Sequence, residues 1–285
     1  MTVLEVIQRS APFLEQKGVE SPRLQIELML AQVLKMPRLK LYLNFDRVLA
    51  EPELALLREM VKRRAAREPL QHILGSTSFC GLEIKSSRAA LVPRPETELL
   101  AERAWQFLST LNPQPSTALD FGTGTGCIAI AIARNAPHAG IHALDASGEA
   151  LALAKENAAA NALAERITFH HGDGLAAVPQ GLSFDLIVSN PPYIASAEIA
   201  TLEPEVRNFD PQAALDGGED GLDFYRMLAR VARAYLKPQG RLMVEFGDGQ
   251  TDELKKIFSS EKWIVEEIVA DYSARPRILM ARPGG

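Results

Sequence analysis

Apolar residues recur at two spacings along the 285-residue chain, and the change from one to the other divides it. Up to about residue 70 the spacing is helical. Thr2 and Glu5 have capping-box spacing ahead of Ile7, Phe13 and Leu14, and Gly18 suits the end of that helix. Ser21-Pro22 predicts an N-cap and a first-turn proline for a second helix, with Leu24, Leu28, Val33 and Leu34 on or near one face. Met36-Pro37 ends it, and a shorter piece follows through Leu39, Tyr42 and Leu43. Glu51-Pro52 opens a further helix, with Leu54, Leu57 and Val61 inward and Arg58, Lys62, Arg63, Arg64 and Arg67 largely outward. Nothing here alternates as a strand does, so residues 1–70 are expected to form a small all-helical domain.

From 71 to 95 the pattern shortens. His72-Ile73-Leu74-Gly75 and the stretch Thr77 to Ile84, interrupted by Gly81, predict extended pieces and a β-hairpin linker. The linker ends in Val92-Pro93-Arg94-Pro95-Glu96-Thr97-Glu98. Its two prolines fix an extended lead-in, and Glu96 and Glu98 fall in the first turn of a helix through Leu99, Leu100, Trp105 and Leu108.

Residues 96–285 then alternate between strand and helix. Strands are predicted at Thr117–Phe121, Gly140–Leu144, Ile167–His170, Phe184–Ser189, Arg241–Phe246, Trp263–Val269 and Arg277–Met280. Helices are predicted at Cys127–Asn135, Ser147–Asn161, Leu222–Tyr235 and Gln250–Phe258. Such alternation implies an α/β fold with a doubly wound, mostly parallel sheet. Only Asp271 to Pro276 joins the last two strands, and so short a connection permits only an antiparallel pair.

Composition narrows the class without naming a function. Cys80 and Cys127 match no zinc spacing, and no metal site is expected. Glu5, Gln8 and Arg9 interrupt Met1–Phe13, so no signal-peptide core is read there and a cytoplasmic protein is expected. No apolar run approaches the ~18 residues that would span a bilayer. Residues 1–70 hold twelve Lys and Arg against nine Asp and Glu, while the remainder holds nineteen against twenty-seven. A protein gripping duplex phosphates would show a basic excess. Direct nucleic-acid binding is therefore disfavoured.

Chemistry enters at the strand ends. Asp120-Phe121-Gly122-Thr123-Gly124-Thr125-Gly126-Cys127 runs from a strand through a glycine loop into a helix, presenting amide N–H groups at a helix N-terminus. The dinucleotide fingerprint would need glycine at Cys127, and no P-loop Gly-Lys-Ser/Thr follows. Asp145 ends the next strand, where a ribose diol is held, and Asp173 with Gly174 follows the third, near an adenine amine. Three acids on successive strand tips point to an adenosine cofactor rather than to turn glycines and helix caps. On the fourth strand, Asn190-Pro191-Pro192-Tyr193 ends an apolar run; neither proline has an N–H, so the chain must leave the sheet there. Taken alone, this stretch would also suit an ordinary strand-ending turn.

Together these residues resemble the class I S-adenosylmethionine-dependent methyltransferases. Within that family, Asn-Pro-Pro-Tyr marks enzymes acting on a planar conjugated nitrogen, either adenine's amine or a glutamine amide. Val92–Glu98, Ala214-Leu215-Asp216-Gly217-Gly218-Glu219-Asp220-Gly221 and the helical N-terminal unit are similar to the release factor glutamine methyltransferases. The resemblance spans essentially the whole chain. It implies a seven-stranded sheet with the last strand antiparallel, and S-adenosylmethionine held by Gly122, Thr123, Gly124, Thr125, Gly126, Asp145, Asp173, Gly174 and Asn190. It also implies Asn190, Pro191 and Tyr193 as catalytic groups, with Pro192 completing the substrate pocket. One departure is Gly174, where some relatives carry a bulkier, often aromatic residue over the adenine.

The substrate implied is the glutamine of the Gly-Gly-Gln loop in class 1 peptide chain release factors, with the enzyme a monomer. Arg63, Arg64 and Arg67, and the segment Glu198–Glu219, are expected to grip the rest of that partner. A ribosomal-protein glutamine methyltransferase would share the core chemistry, and an adenine-N6 DNA methyltransferase would share the motif. The acidic balance of residues 71–285 argues against the DNA enzyme. A non-enzymatic cofactor sensor would have no use for Asn190–Tyr193, and a NAD-dependent oxidoreductase would stabilise on NAD rather than on S-adenosylhomocysteine.

Overall fold

The computed structural model describes residues 1–111 and 114–284; Asn112, Pro113 and Gly285 of the expected catalytic domain lie outside it. The chain forms two compact units: Met1–Gly75 together with Glu203–Phe209, and Ser76–Leu202 together with Asp210–Gly285.

The first unit contains α1 (Val3–Gln16), α2 (Pro22–Val33), α3 (Arg38–Leu41), α4 (Glu51–Ala65) and α5 (Leu70–Leu74). The capping box at Thr2 and Glu5 is present in both directions. Ser21, by contrast, sits in the left-handed region and makes no side-chain cap; Pro22 alone marks the start of α2. Val3, Ile7, Leu14, Ile26, Leu30 and Leu57 share one core. Helix α5 replaces the extended piece expected at 72–75 and moves the domain boundary from 70 to 75. Leu70, Ile73 and Leu74 have i, i+3, i+4 spacing, which buries Ile73 in this core, and Gly75 closes the helix at φ +81°.

The basic face of α4 departs from expectation. Arg64 is buried, and its Nη2 donates to Glu205 Oε1 at 2.6 Å. Arg67 pairs with Glu205 and Glu203, and Arg63 with Glu68. Burial raises the Glu205 carboxyl, but the Arg67 and Arg64 hydrogen bonds outweigh it and hold the group below its ordinary value. All three arginines expected to meet a partner are thus paired with carboxylates of the chain itself.

The second unit begins with a hairpin, β1 (Ser76–Phe79) and β2 (Leu82–Lys85), followed by α6 (Pro95–Thr110). Then come β3 (Ser116–Phe121), α7 (Cys127–Asn135), β4 (Ala139–Asp145), α8 (Gly148–Ala160), β5 (Ile167–His171) and β6 (Phe184–Ser189). Short α9 (Pro204–Phe209) is the excursion that belongs with the first unit; α10 (Asp223–Val231), β7 (Leu236–Glu245), α11 (Thr251–Ser260), β8 (Trp263–Ala270) and β9 (Pro276–Pro283) complete the chain.

The seven-stranded sheet has the order β5-β4-β3-β6-β7-β9-β8. Only β9 runs against its neighbours, pairing antiparallel with both β7 and β8. Strands β3 and β6 are apolar on both faces because helices cover both sides. Order reverses between β3 and β6, so the carboxyl ends of those two strands flank the crevice where such sheets bind ligands. No helix among the described residues is long and apolar enough to cross a membrane.

Candidate active site

The glycine loop follows β3 and is fixed by its own backbone demands. Gly122, Gly124 and Gly126 have φ of +74°, +55° and +80°, a region that favours glycine. At Gly126 a Cβ would also lie 3.0 Å from Ala154 Cβ, so α8 packs where any side chain would go. Gly122 and Thr123 donate to Leu144 O, linking the loop to the end of β4. Asn157 on α8 is fully buried and donates to Thr125 O at 2.9 Å while it pairs with the Lys85 backbone.

Asp120 lies beneath this loop. Its Oδ2 accepts from Thr123 Oγ1 at 2.6 Å and Ala129 N at 3.1 Å, and its Oδ1 is buried with no partner among the described residues. Burial pushes the carboxyl up to about 7, against those two hydrogen bonds. An orphan carboxylate oxygen under the loop suits a cationic ligand.

Asp145 ends β4, where its Oδ2 accepts from Gly124 N and its Oδ1 from Ser147 N, both at 2.8 Å. A carboxylate has about four lone-pair directions, so two remain for the hydroxyls of a ribose. Asp173 follows β5 and is exposed. Gly174, next to it, has φ +87° and ψ 168°, a conformation open essentially to glycine alone. Its direction of Cβ meets nothing within 4 Å. Backbone geometry, not crowding, thus accounts for glycine at this position. The loop, the two strand-tip acids and the orphan Asp120 oxygen fit an adenosine cofactor bearing a positive charge.

Beside the loop, Ser189 Oγ donates to Phe121 O at 2.6 Å, locking the end of β6 against the end of β3. Asn190 follows, half-buried, with its Nδ2 donating to Thr97 Oγ1 at 3.0 Å. Pro191 is buried and Tyr193 partly so, and burial raises the Tyr193 phenol. Asn190 to Tyr193 are therefore brought together with the glycine loop on adjacent strand ends.

The support roles of Gln250 and of Leu215–Gly221, and one buried acid, escaped sequence reasoning. Gln250 donates to Tyr193 O at 2.9 Å while its Oε1 accepts from Gly247 N, so it props the acceptor loop from the N-cap position of α11. The segment Leu215–Gly221 wraps that loop: Ile194 N donates to Leu215 O, and Gly217 N to Ile194 O. A Cβ on Gly221 would stand 2.4 Å from Tyr193 O, which explains a glycine there. Finally, Glu245 ends β7 buried, and burial pushes its carboxyl up to about 7. An acid closing the apolar run Leu242-Met243-Val244 was the available signal.

Comparison with known proteins gives the family. The family described as PrmC N-terminal domain matches residues 5–75, and that described as Methyltransferase small domain matches 103–205. The release factor glutamine methyltransferase of Geobacter sulfurreducens is 45% identical over 259 residues, covering 90% of this chain and 88% of that protein. The same enzyme from Cereibacter sphaeroides is 38% identical over 282 residues, covering 99% of each chain. Among solved structures, a methyltransferase from Pyrococcus furiosus superposes with a TM-score of 0.53 at 20% identity, over 72% of this chain and 90% of that one, a likeness of fold. With close relatives matched along nearly their whole length, and with the glycine loop and Asn190–Tyr193 on adjoining strands, the chain belongs to the release factor glutamine methyltransferase family.

Proposed function

We propose that this protein transfers a methyl group from S-adenosylmethionine to the side-chain amide nitrogen of the glutamine in the Gly-Gly-Gln loop of class 1 peptide chain release factors. The observation that carries the reading is the Asn190 carboxamide, held by its nitrogen at Thr97, leaving Oδ1 as an acceptor beside the cofactor loop.

A carboxamide nitrogen is a poor nucleophile because its lone pair is delocalised. S-adenosylmethionine supplies an electrophilic methyl group on a sulfonium, so the protein's task is to orient the nitrogen and favour its growing positive charge. Asn190 Oδ1 and the Pro191 carbonyl each accept one hydrogen of the substrate NH₂. Proline geometry fixes both acceptors before substrate arrives, and such positioning is worth several kcal/mol of barrier. Tyr193 stacks on the planar amide. The displaced amide proton leaves to water, with no general base required beforehand.

Gly122, Thr123, Gly124, Thr125 and Gly126 hold the cofactor's polar end, Asp145 its ribose, and Asp173 with Gly174 its adenine. Asp145→Ala should weaken S-adenosylhomocysteine binding by roughly 1–3 kcal/mol through loss of charge-assisted hydrogen bonds, read by calorimetry. It also removes the acceptor of Gly124 N and Ser147 N, so the loop loosens as well. Unchanged affinity would place the ribose elsewhere.

The reading includes a monomer acting in the cytoplasm on protein rather than nucleic acid; the acidic excess of residues 71–285 supports the last point. Incubating the enzyme with labelled cofactor and a purified release factor, then mapping the label by mass spectrometry, tests the whole. Label on the Gly-Gly-Gln glutamine is expected. Label on a ribosomal protein alone, offered in parallel, would overturn the substrate.

A further inference from the structure

Tyr272 is 87% exposed, an aromatic ring standing almost wholly in solvent on the turn between β8 and β9. Topology puts that turn at the carboxyl edge of the parallel strands. β6 and β7 run together, with Ser189 opposite Val244. β9 runs against β7, with Ile278 opposite Glu245, so β9 starts where β7 ends. The turn before β9 therefore opens beside Phe246-Gly247-Asp248, and Phe246 N donates to Arg277 O at 2.9 Å. Gly247 adjoins the acceptor loop: a Cβ on it would lie 3.0 Å from Tyr193 Cδ2. Asp248 and Arg275, both exposed, face each other at 3.8 Å and tie the loop after β7 to the turn. Tyr193, the loop after β7 and the turn carrying Tyr272 thus form one continuous rim.

The turn is also fixed. Asp271 Oδ1 accepts from Ser273 N at 2.8 Å and Arg275 N at 3.0 Å, and its Oδ2 from Arg277 Nε at 3.2 Å. Its backbone closes the same loop, with Asp271 N donating to Arg275 O and Ala274 N to Asp271 O. Ala274 is held at φ +60°, a region disfavoured for a residue with a Cβ. Single exposed apolar side chains are common on protein surfaces. This one stands on a backbone already set, at the rim of the site. A ring carried in that way loses little freedom when a partner covers it, and tyrosine offers a broad apolar face with a polar tip.

We propose that Tyr272 is a docking residue for the protein substrate, packing on the chain that flanks the methylated glutamine; the inference rests on the glutamine reading of the site given above. Adjacent strands lie roughly 5 Å apart, so β9 begins about 10 Å from the end of β6 that leads into Asn190. An extended chain covers roughly 3.3 Å per residue. The ring therefore meets substrate residues about three to five positions from the glutamine, outside the pocket and clear of the methyl group. A flank of small residues such as glycine exposes flat peptide planes against which an aromatic face packs closely. Tyr272 thereby contributes affinity for the loop and nothing to the chemical step.

The test uses the full-length enzyme and a purified release factor in steady-state methyl transfer. Tyr272→Ala should raise KM for the release factor about tenfold and leave kcat within about twofold, as expected when binding equal in ground and transition states is lost. KM for S-adenosylmethionine and the thermal shift on S-adenosylhomocysteine should not change, because Tyr272 lies outside the glycine loop and the strand-tip acids. Tyr272→Phe keeps the ring and should stay within about twofold of the parent in every constant. The side chain is exposed, so neither substitution threatens the fold. A parental KM in Tyr272→Ala, equal losses in the Ala and Phe variants, or a fall in kcat in place of a rise in KM would each overturn the docking role. A parent enzyme that leaves the release factor unlabelled overturns the glutamine reading itself. A labelled release factor with an unchanged KM in Tyr272→Ala overturns only the docking residue.

Discussion

Asn190→Ala is expected to lower kcat by about 10²–10³-fold, the magnitude typical of removing one preorganised group that meets developing charge. Cofactor binding should stay nearly intact, because the side chain's hydrogen bond goes to Thr97 and not to the glycine loop. The fold should stay intact too. Ser189 Oγ holds the end of β6 to Phe121 O, Gln250 holds Tyr193 O, and Pro191 is itself buried. Single-turnover methyl transfer alongside calorimetry with S-adenosylhomocysteine separates the two effects. Equal losses in both would make Asn190 a structural residue.

Glu205→Ala should destabilise the helical unit by about 1–3 kcal/mol, the range for losing charge-assisted hydrogen bonds, since Arg64 keeps Gln25 Oε1 and the Glu68 carbonyl. Arg64 is 4% exposed and its guanidinium would be left buried beside the truncated side chain. Arg67 would keep Glu203, whose side chain is largely exposed, so that second contact contributes little. Urea denaturation at pH 7 measures the loss, and a change under about 1 kcal/mol would contradict it. The pH dependence has a definite sign. Glu205's folded pKa is depressed, so its stabilisation is fully present above the ordinary value of 4.5 and is lost as pH falls through the folded pKa. The gap between parent and variant should therefore close on acidification below about pH 4.5, not at neutral pH. Charge reversal at Arg64 would for the same reason report on folding before it reported on any partner.

The sheet was readable where a strand is an apolar run stopped by a glycine or an acid, as β3 is before Gly122 and β4 at Asp145. Phe184–Ser189 has the predicted bounds, and the short Asp271–Pro276 link forced the antiparallel β9. The site was readable where chemistry sits on strand tips: Gly122–Gly126, Asp145 and Asn190–Tyr193 meet at one edge because topology puts β3 between β4 and β6. Arg64 was misjudged although its period was visible. Leu57, Val61 and Arg64 share a helical face, and charge was taken as a sign of solvent when a partner carboxylate decided the matter. That partner lies far along the chain, where no local pattern could reveal it. Thr97 was hidden for a related reason, since it meets Asn190 across two separate elements. Helix α5 was lost because five residues carry too little periodicity to outvote neighbouring strand formers.

Arg64 and Glu205 stand 141 positions apart, which gives the helical unit an unusual schedule during synthesis. At roughly 5–20 residues per second, on the order of ten seconds of translation separates the two side chains. Through that interval α1–α5 can collapse around Ile7, Leu30 and Leu57, yet the Arg64 guanidinium has no carboxylate at hand. Strands β3 to β6 are all made before Glu205 emerges. The first unit to leave the ribosome is thus among the last to be finished, and its completion waits on the same stretch of chain that follows Tyr193.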